Sequence, residues 1–158
     1  EKQIELKKQL RDAFAKEIAP RAAAVDAAET FSSENWKLLA EKFKDSLLNV
    51  GDDLTVTNPQ RLQKAVEDRL INSIIIKPNQ IGTLTETLIT VGYAKKNNLR
   101  VIVSHRGGGE TNDTFIVDLA VAIGADLLKV GPSRGERVAK YNRLMEIEGE
   151  LESKKKKA

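Results

Sequence analysis

The sequence of 158 residues contains no cysteine and only one histidine. Neither a disulfide framework nor a thiolate metal site can therefore form. Aromatic residues make up 4% of the chain, which is too few for the stacking surface that single-stranded nucleic acids require. No apolar run approaches the roughly 20 residues of a transmembrane helix. We therefore expect a soluble protein that binds neither membranes nor nucleic acids.

The positive charge of the chain is concentrated at its C-terminal end. The formal net charge is +3 and the sequence pI is about 9.1, but the run Lys154–Lys157 produces this excess. The rest of the chain is close to neutral and offers no basic face for nucleic acid. The pattern predicts a disordered lysine-rich tail over residues 153–158. Nothing near the N-terminus resembles a secretory signal, which favours a cytoplasmic location.

Strand and helix patterns alternate along most of the chain. Short aliphatic runs predict strands at Asn49–Leu54, Ser73–Lys77, Arg100–His105 and Asp126–Val130. Helical patterns follow them and begin near Pro59, Thr83, Asn112 and Arg134. The run Ile74–Ile76 is apolar on both faces, as expected of a parallel strand that is covered by helices. The pattern predicts one parallel α/β domain over residues 1–152.

The N-terminal part of the chain has a weaker pattern. Apolar residues at helical spacing predict a helix over Glu1–Ala19, and Pro20 is expected to end it. A weak extended stretch, Ala22–Val25, leads to Asp26, and a second helix is expected from Ser33. These segments form the least defined strand–helix unit of the chain.

Ionisable residues stand at or near the C-terminal end of each of the four clear strands. They are Asp52 and Asp53, Lys77, His105 and Arg106, and Lys129. Taken singly, each has an ordinary explanation: a helix cap, a solvent-facing lysine, a structural histidine or a flexible loop. An arginine beside glycine amides also suits a phosphate group. Because the C-terminal ends of parallel strands meet at one rim, their convergence predicts a functional site.

Several ordered blocks of the sequence carry a specific resemblance. They are G-D-D-L-T-V-T-N-P at 51–59, I-K-P-N-Q-I-G-T-L-T-E at 76–86, V-S-H-R at 103–106 with G-E-T-N-D-T-F after it, and R-G-E-R-V-A-K-Y-N-R-L at 134–144. They are similar to the C-terminal half of enolase. The resemblance implies parallel β/α units that form the second half of an enolase-type TIM-like barrel. A receiver-type module is excluded, because it needs an aspartate where Lys77 stands.

The resemblance implies a Mg2+-dependent phosphopyruvate hydratase, which interconverts 2-phosphoglycerate and phosphoenolpyruvate in glycolysis and gluconeogenesis. Lys77 would be the general base, and Asp52 a ligand of Mg2+. His105 and Arg106 would contact the substrate, with Arg106 on its phosphate, and Lys129 would hold its carboxylate. A proton beside an ionised carboxylate is weakly acidic, so cations are needed to stabilise the charge that develops.

Two departures from the enolase pattern affect this site. Gly107 is assigned to the substrate-binding loop, although the related loop S-H-R-S-G-E-T has serine at this position. The family's I-E-D segment supplies a glutamate ligand to Mg2+, whereas V-D-A-A-E here offers Asp26, with Glu29 as a second candidate. Both changes are expected to weaken the site.

The resemblance covers only the second half of an enolase barrel. It implies that the small α+β domain, another metal-binding aspartate and the glutamate that acts as general acid belong to a half that this chain does not contain. We therefore expect the chain to be inactive alone, and to form a homo-oligomer or to bind a complementing N-terminal half. The alternative is a non-catalytic enolase-like assembly or scaffolding protein.

Overall fold

The computed structural model describes residues 2–28, 32–43, 46–106, 111–131 and 134–156. Its helices are α1 (Lys2–Ala13), α2 (Ala19–Ala27), α3 (Ser33–Phe43), α4 (Pro59–Glu67), α5 (Pro78–Ile81), α6 (Leu84–Lys96), α7 (Phe115–Ala122) and α8 (Gly135–Lys155). Its strands are β1 (Val50–Gly51), β2 (Ser73–Ile76), β3 (Arg100–Ser104) and β4 (Leu127–Lys129). A π-helical segment, Phe14–Ile18, joins α1 to α2. No helix of the described residues is both long and apolar enough to cross a membrane.

The four strands form one parallel sheet in the order β1-β2-β3-β4. In the central pair, Ile74 lies opposite Val101 and Ile76 opposite Val103. At least one helix connects each strand to the next, as parallel strands require. The prediction of parallel β/α units is confirmed, and all four clear strands are present, although β1 and β4 are shorter than expected.

The core lies between the sheet and the helices that follow its strands. Strand β2 is buried along its whole length, and β3 is buried after Arg100. The main apolar cluster comprises Leu62, Ile74, Ile76, Val91, Ala94, Leu99, Val101, Val103 and Ala120. Burial of each large aliphatic side chain contributes about 1.5–3 kcal/mol to the stability of the fold. Strands β2 and β3, which lead to Lys77 and His105, therefore belong to the most firmly packed part of the described chain.

Side-chain caps set the starts of α4 and α6. The Asn58 side chain accepts the Arg61 N–H at 3.0 Å, and Pro59 stands in the first turn of α4. The Thr83 hydroxyl accepts the Glu86 N–H at 3.2 Å and donates to the Glu86 carboxylate at 2.6 Å. These caps satisfy amides that have no partner within the helix. The predicted starts near Pro59 and Thr83 are confirmed.

The N-terminal segment differs from the prediction. Pro20 does not end the helix: it stands in the first turn of α2, directly after the π-helical segment. A first-turn residue needs no N–H, so proline is tolerated there. The extended stretch expected at Ala22–Val25 is helical instead, and that prediction was wrong. Alanine has the strongest helix propensity. In the described sheet β1 pairs only with β2, so residues 22–25 have no strand to pair with as a further strand.

The C-terminal tail also differs from the prediction. Helix α8 continues through Lys155, so disorder from residue 153 onward was wrong for Ser153–Lys155. Lysines in the last turn of a helix interact favourably with its negative dipole end, which explains the extension. The assignment of residues 1–152 to one domain stays a prediction.

Candidate active site

The carboxyl ends of the strands place four of the predicted site residues along one rim of the sheet. Asp52 follows β1, Lys77 follows β2, His105 follows β3, and Lys129 is the last residue of β4. Because all four strands are parallel and in sequential order, these ends succeed one another along the rim.

The Lys77 side chain faces two carboxylates at this rim. Its ammonium nitrogen lies 2.5 Å from Asp52 Oδ1 and 3.8 Å from Asp53 Oδ1. The Lys77 side chain is 10% exposed, that of Asp52 is 30% exposed and that of Asp53 is 89% exposed. A buried ammonium is costly unless a carboxylate pairs with it. Asp52 therefore neutralises the lysine within the structure, while Asp53 stays largely in solvent.

The loop after β1 holds Asp52 through its main chain. The carbonyl oxygen of Asp52 accepts the N–H groups of Thr55 at 3.0 Å and Val56 at 2.8 Å. The Thr55 hydroxyl also donates to this carbonyl at 2.9 Å. The following residue, Thr57, is fully buried, and its hydroxyl accepts the backbone N–H of Lys77 at 2.9 Å. The sequence analysis did not single out Thr57, because a threonine in a turn carries no local signal of such a contact.

A serine hydroxyl joins the ends of β3 and β4. Ser104 Oγ lies 2.8 Å from the carbonyl oxygen of Lys129 and 2.9 Å from that of His105. His105 is half-buried, whereas Arg106 and Lys129 are exposed. The main chain at this part of the rim is therefore fixed, while the side chains of Arg106 and Lys129 reach solvent.

A cavity of about 190 Å³ adjoins His105. It is lined by Pro78, Asn79, Ser104, His105, Thr111, Asp113, Phe115, Ile116 and Lys140. Lys140 is 2% exposed, and its ammonium donates to the carbonyl oxygens of Thr111 at 2.5 Å and Glu136 at 3.1 Å. The sequence analysis did not single out Lys140. Helical spacing was the one feature of the sequence that could have indicated its burial. Lys140 and Ile147 are the buried residues of α8, and they lie two helical turns apart on the same face.

The predicted metal ligands are not gathered into a complete site by the described residues. Those residues contain no group of three or more histidine, aspartate or glutamate side chains that could hold a metal ion. Asp52 fits one carboxylate position of a Mg2+ site. Asp26 lies exposed near the end of α2, and not at the end of a strand. Glu29 and Gly107 lie outside the described residues.

The fold and the rim define a class of protein. Parallel β/α units with a buried lysine and an aspartate at the carboxyl ends of the strands define a parallel α/β protein whose candidate site lies at that end. A comparison with family models identifies the family within this class. Residues 3–158 match the model described as "Enolase, C-terminal TIM barrel domain", and the chain belongs to this family.

Individual relatives agree with the family match. The chain is 48% identical over 133 residues to proteins named "Enolase" from two strains of Ureaplasma parvum serovar 3, ATCC 27815 / 27 / NCTC 11736 and ATCC 700970. Each match covers 82% of this chain and 30% of the relative. The chain therefore spans about 30% of the length of these relatives. The resemblance to the C-terminal half of enolase and the barrel-type fold class are confirmed.

Proposed function

We propose that this chain is the C-terminal, base-bearing portion of a phosphopyruvate hydratase, a lyase that interconverts 2-phosphoglycerate and phosphoenolpyruvate in glycolysis and gluconeogenesis. One observation carries the proposal: a family match over residues 3–158 coincides with a buried lysine that faces an acidic pair at the rim. The alternative, a non-catalytic scaffolding protein, is not favoured by the similarity to proteins named "Enolase".

Lys77 is proposed to act as the general base. Its amine takes the proton from the carbon between the carboxylate and phosphate groups of 2-phosphoglycerate, and the electron pair of that bond moves into the carboxylate as an enolate forms. The enolate then expels hydroxide from the neighbouring carbon, with a proton from a general acid that the rest of the enzyme must supply. The buried surroundings of Lys77 support this role, since they exclude competing water.

The remaining predicted residues receive binding roles. Arg106 and Lys129 supply positive charge for the phosphate and carboxylate of the substrate, and His105 contributes a further contact from its half-buried position. Gly107 is proposed for the phosphate loop. Asp52 is proposed as one carboxylate ligand of Mg2+. When bound, Mg2+ supplies charge that stabilises an enolate.

The proposal extends to the setting of the enzyme. We propose that Asp26 is a second metal ligand in the complete protein. The partners are a small anionic substrate and either a second copy of the chain or a complementing N-terminal half. A cytoplasmic location is consistent with this metabolic role.

Hydrogen exchange tests the assignment of the base. The chain replaces the matched segment of the Ureaplasma parvum enolase, and NMR follows exchange of the substrate α-hydrogen with D2O. Lys77→Ala is expected to slow this exchange by about 10²- to 10⁴-fold, because it removes the general base. His105→Ala is the contrast, and should raise KM while exchange continues. Near-normal exchange by Lys77→Ala, together with loss of exchange in His105→Ala, would show that histidine is the base.

A further inference from the structure

We propose that Thr57 is a positioning residue for Lys77, holding the main chain from which the lysine side chain extends. The inference rests on the proposed function, because it matters for catalysis only if Lys77 is the base. The Thr57 hydroxyl is hydrogen-bonded to the main-chain N–H of Lys77 and not to its ammonium. It acts through the backbone of Lys77, at the point where the chain leaves strand β2.

Thr57 joins three separate parts of the fold. Its side chain is fully buried, and its hydroxyl accepts the N–H of Lys77 at 2.9 Å. The same hydroxyl donates to Gln80 Oε1 at 3.1 Å, in the short helix that follows Lys77. The carbonyl oxygen of Thr57 accepts the Thr90 hydroxyl of helix α6 at 2.8 Å. The loop after β1 is therefore linked both to the residue that carries the base and to the helix behind it.

The backbone of this loop is strained at Thr57 and at the residue before it. Val56 has φ of 44° and Thr57 has φ of 58°, so two consecutive β-branched residues adopt the left-handed region. Such residues rarely occupy this region, and each costs of the order of 1–3 kcal/mol there, which other contacts must offset. The buried Thr90 hydroxyl supplies one such contact, and it also lies 2.9 Å from the carbonyl oxygen of Glu86.

The same network reaches the acidic pair that faces Lys77. Gln80 accepts from the Thr57 hydroxyl, and its Nε2 donates to Asp53 Oδ1 at 3.4 Å. Asp52 and Asp53 begin the loop that Thr57 ends, so a shift of Thr57 displaces the lysine and both carboxylates together. Arg106 and Lys129 lie at the ends of other strands. Loss of the Thr57 hydroxyl is therefore expected to impair proton abstraction and to leave substrate binding nearly unchanged.

Three matched variants test this inference in the chimeric enzyme described above. Thr57→Val keeps the shape of the side chain but removes the hydroxyl, and it is expected to lower kcat and α-hydrogen exchange by about 10- to 100-fold, with KM changed less than about 2-fold. Thr57→Ser keeps the hydroxyl and should retain most of the activity. Thr87→Val is the control: Thr87 is also fully buried on α6, and its hydroxyl donates to the Thr83 carbonyl at 2.8 Å, away from Lys77.

A second measurement uses the 158-residue chain alone. Amide hydrogen exchange at Lys77, followed by NMR, should be faster in Thr57→Val than in Thr57→Ser or Thr87→Val, because only Thr57→Val removes the acceptor. Equal losses of kcat in Thr57→Val and Thr87→Val would overturn the inference, since general destabilisation would then explain both. So would unchanged kcat and unchanged Lys77 amide exchange in Thr57→Val. Failure of the proposed function is distinguishable, because Lys77→Ala would then retain α-hydrogen exchange whatever the Thr57 variants show.

Discussion

At the residue scale, Lys77 and Asp52 show how the site depends on its immediate surroundings. A lysine at the end of a strand usually extends its ammonium into solvent, since the charge is strongly hydrated. Here the side chain is 10% exposed, and Asp52 lies 2.5 Å from it. Removing either partner leaves a partly buried charge without its counterion. The two residues should therefore be considered together in any mutational study of this rim.

Gly51 directly precedes Asp52 and has no room for a side chain. A Cβ at Gly51 would lie 2.8 Å from Thr55 Cγ2 and 3.0 Å from Ile71 Cδ1. Thr55 cannot easily move, because it is β-branched, buried and bonded to the Asp52 carbonyl. We predict that Gly51→Ala destabilises the chain by about 1–3 kcal/mol. Denaturant unfolding at equilibrium measures the change.

Gly92 provides the matched control for this substitution. It lies in helix α6, and nothing would lie within 4 Å of an added Cβ. Because alanine favours helix more than glycine does, Gly92→Ala should be neutral or stabilising by up to about 1 kcal/mol. If Gly51→Ala unfolded at the same denaturant concentration as Gly92→Ala, the close contact at Gly51 would not limit stability.

At the element scale, a group of ion pairs connects the last two helices. Arg143 of α8 donates to Asp118 of α7 at 2.7 Å, and also reaches Glu146 and Glu150 at 3.3 Å. The hydrogen bond from Arg143 holds the pKa of Asp118 below its ordinary value, and the same bond raises the pKa of Arg143. Helix α7 packs against β3, the strand that leads to His105, so these ion pairs join α8 to an element beside the rim.

The lowered pKa of Asp118 predicts a pH-dependent contribution to stability. The unfolded chain binds a proton at this carboxyl before the folded chain does, so stability increases with pH across this range. The contribution is complete above the ordinary carboxyl pKa of about 3.9 and is lost as pH falls through the lower, folded value. Asp118→Asn should therefore have a lower Tm than wild type at neutral pH, and the difference should shrink on acidification.

Thermal unfolding at neutral and at strongly acidic pH checks this prediction. The effect should be small, since both side chains are partly solvated and salt screens the pair. Glu148→Gln removes an exposed carboxylate from the same helix and serves as the control. A Tm deficit of Asp118→Asn that stays constant with pH would show that its carboxylate acts by packing and not by charge.

At the scale of the whole molecule, the described sheet is an open part of a barrel. Strands β1 and β4 are its edges, each paired on one side within the described residues. The family is that of a TIM barrel domain, in which strands close on one another and leave no edge. The open edges explain why a second copy or a complementing half is part of the proposed function.

The isolated chain is therefore predicted not to convert 2-phosphoglycerate at any Mg2+ concentration. The described residues supply a base candidate and cationic groups, but no complete metal site. Adding the N-terminal portion of the Ureaplasma parvum enolase should restore formation of phosphoenolpyruvate, measured by its absorbance. Steady product formation by the chain alone, purified free of host enolase, would contradict this prediction. Sedimentation should show the two portions in one complex.

Local patterns were enough to predict the central part of the fold. The runs Ile74–Ile76 and Val101–Val103 are apolar over consecutive positions, as expected of parallel strands that are covered by helices. Asn58 and Thr83 signal helix starts through short-range capping. For the same reason, the positions of Lys77 and His105 at strand ends followed from the sequence alone.

Contacts between segments that are distant in sequence decided the placement of the other residues, such as Asp26, Thr57 and Lys140. Ala22–Val25 has no partner strand in the described sheet, so its helix propensity prevails and Asp26 lies on a helix. Thr57 meets Lys77 across 20 positions of sequence, and Lys140 meets Thr111 across 29. Apolar periodicity and capping act within a few residues, so the sequence by itself determined the central strands and the helix starts that depend on them. Burial of a polar group depends on which distant donor or acceptor faces it, and only the tertiary structure decides that.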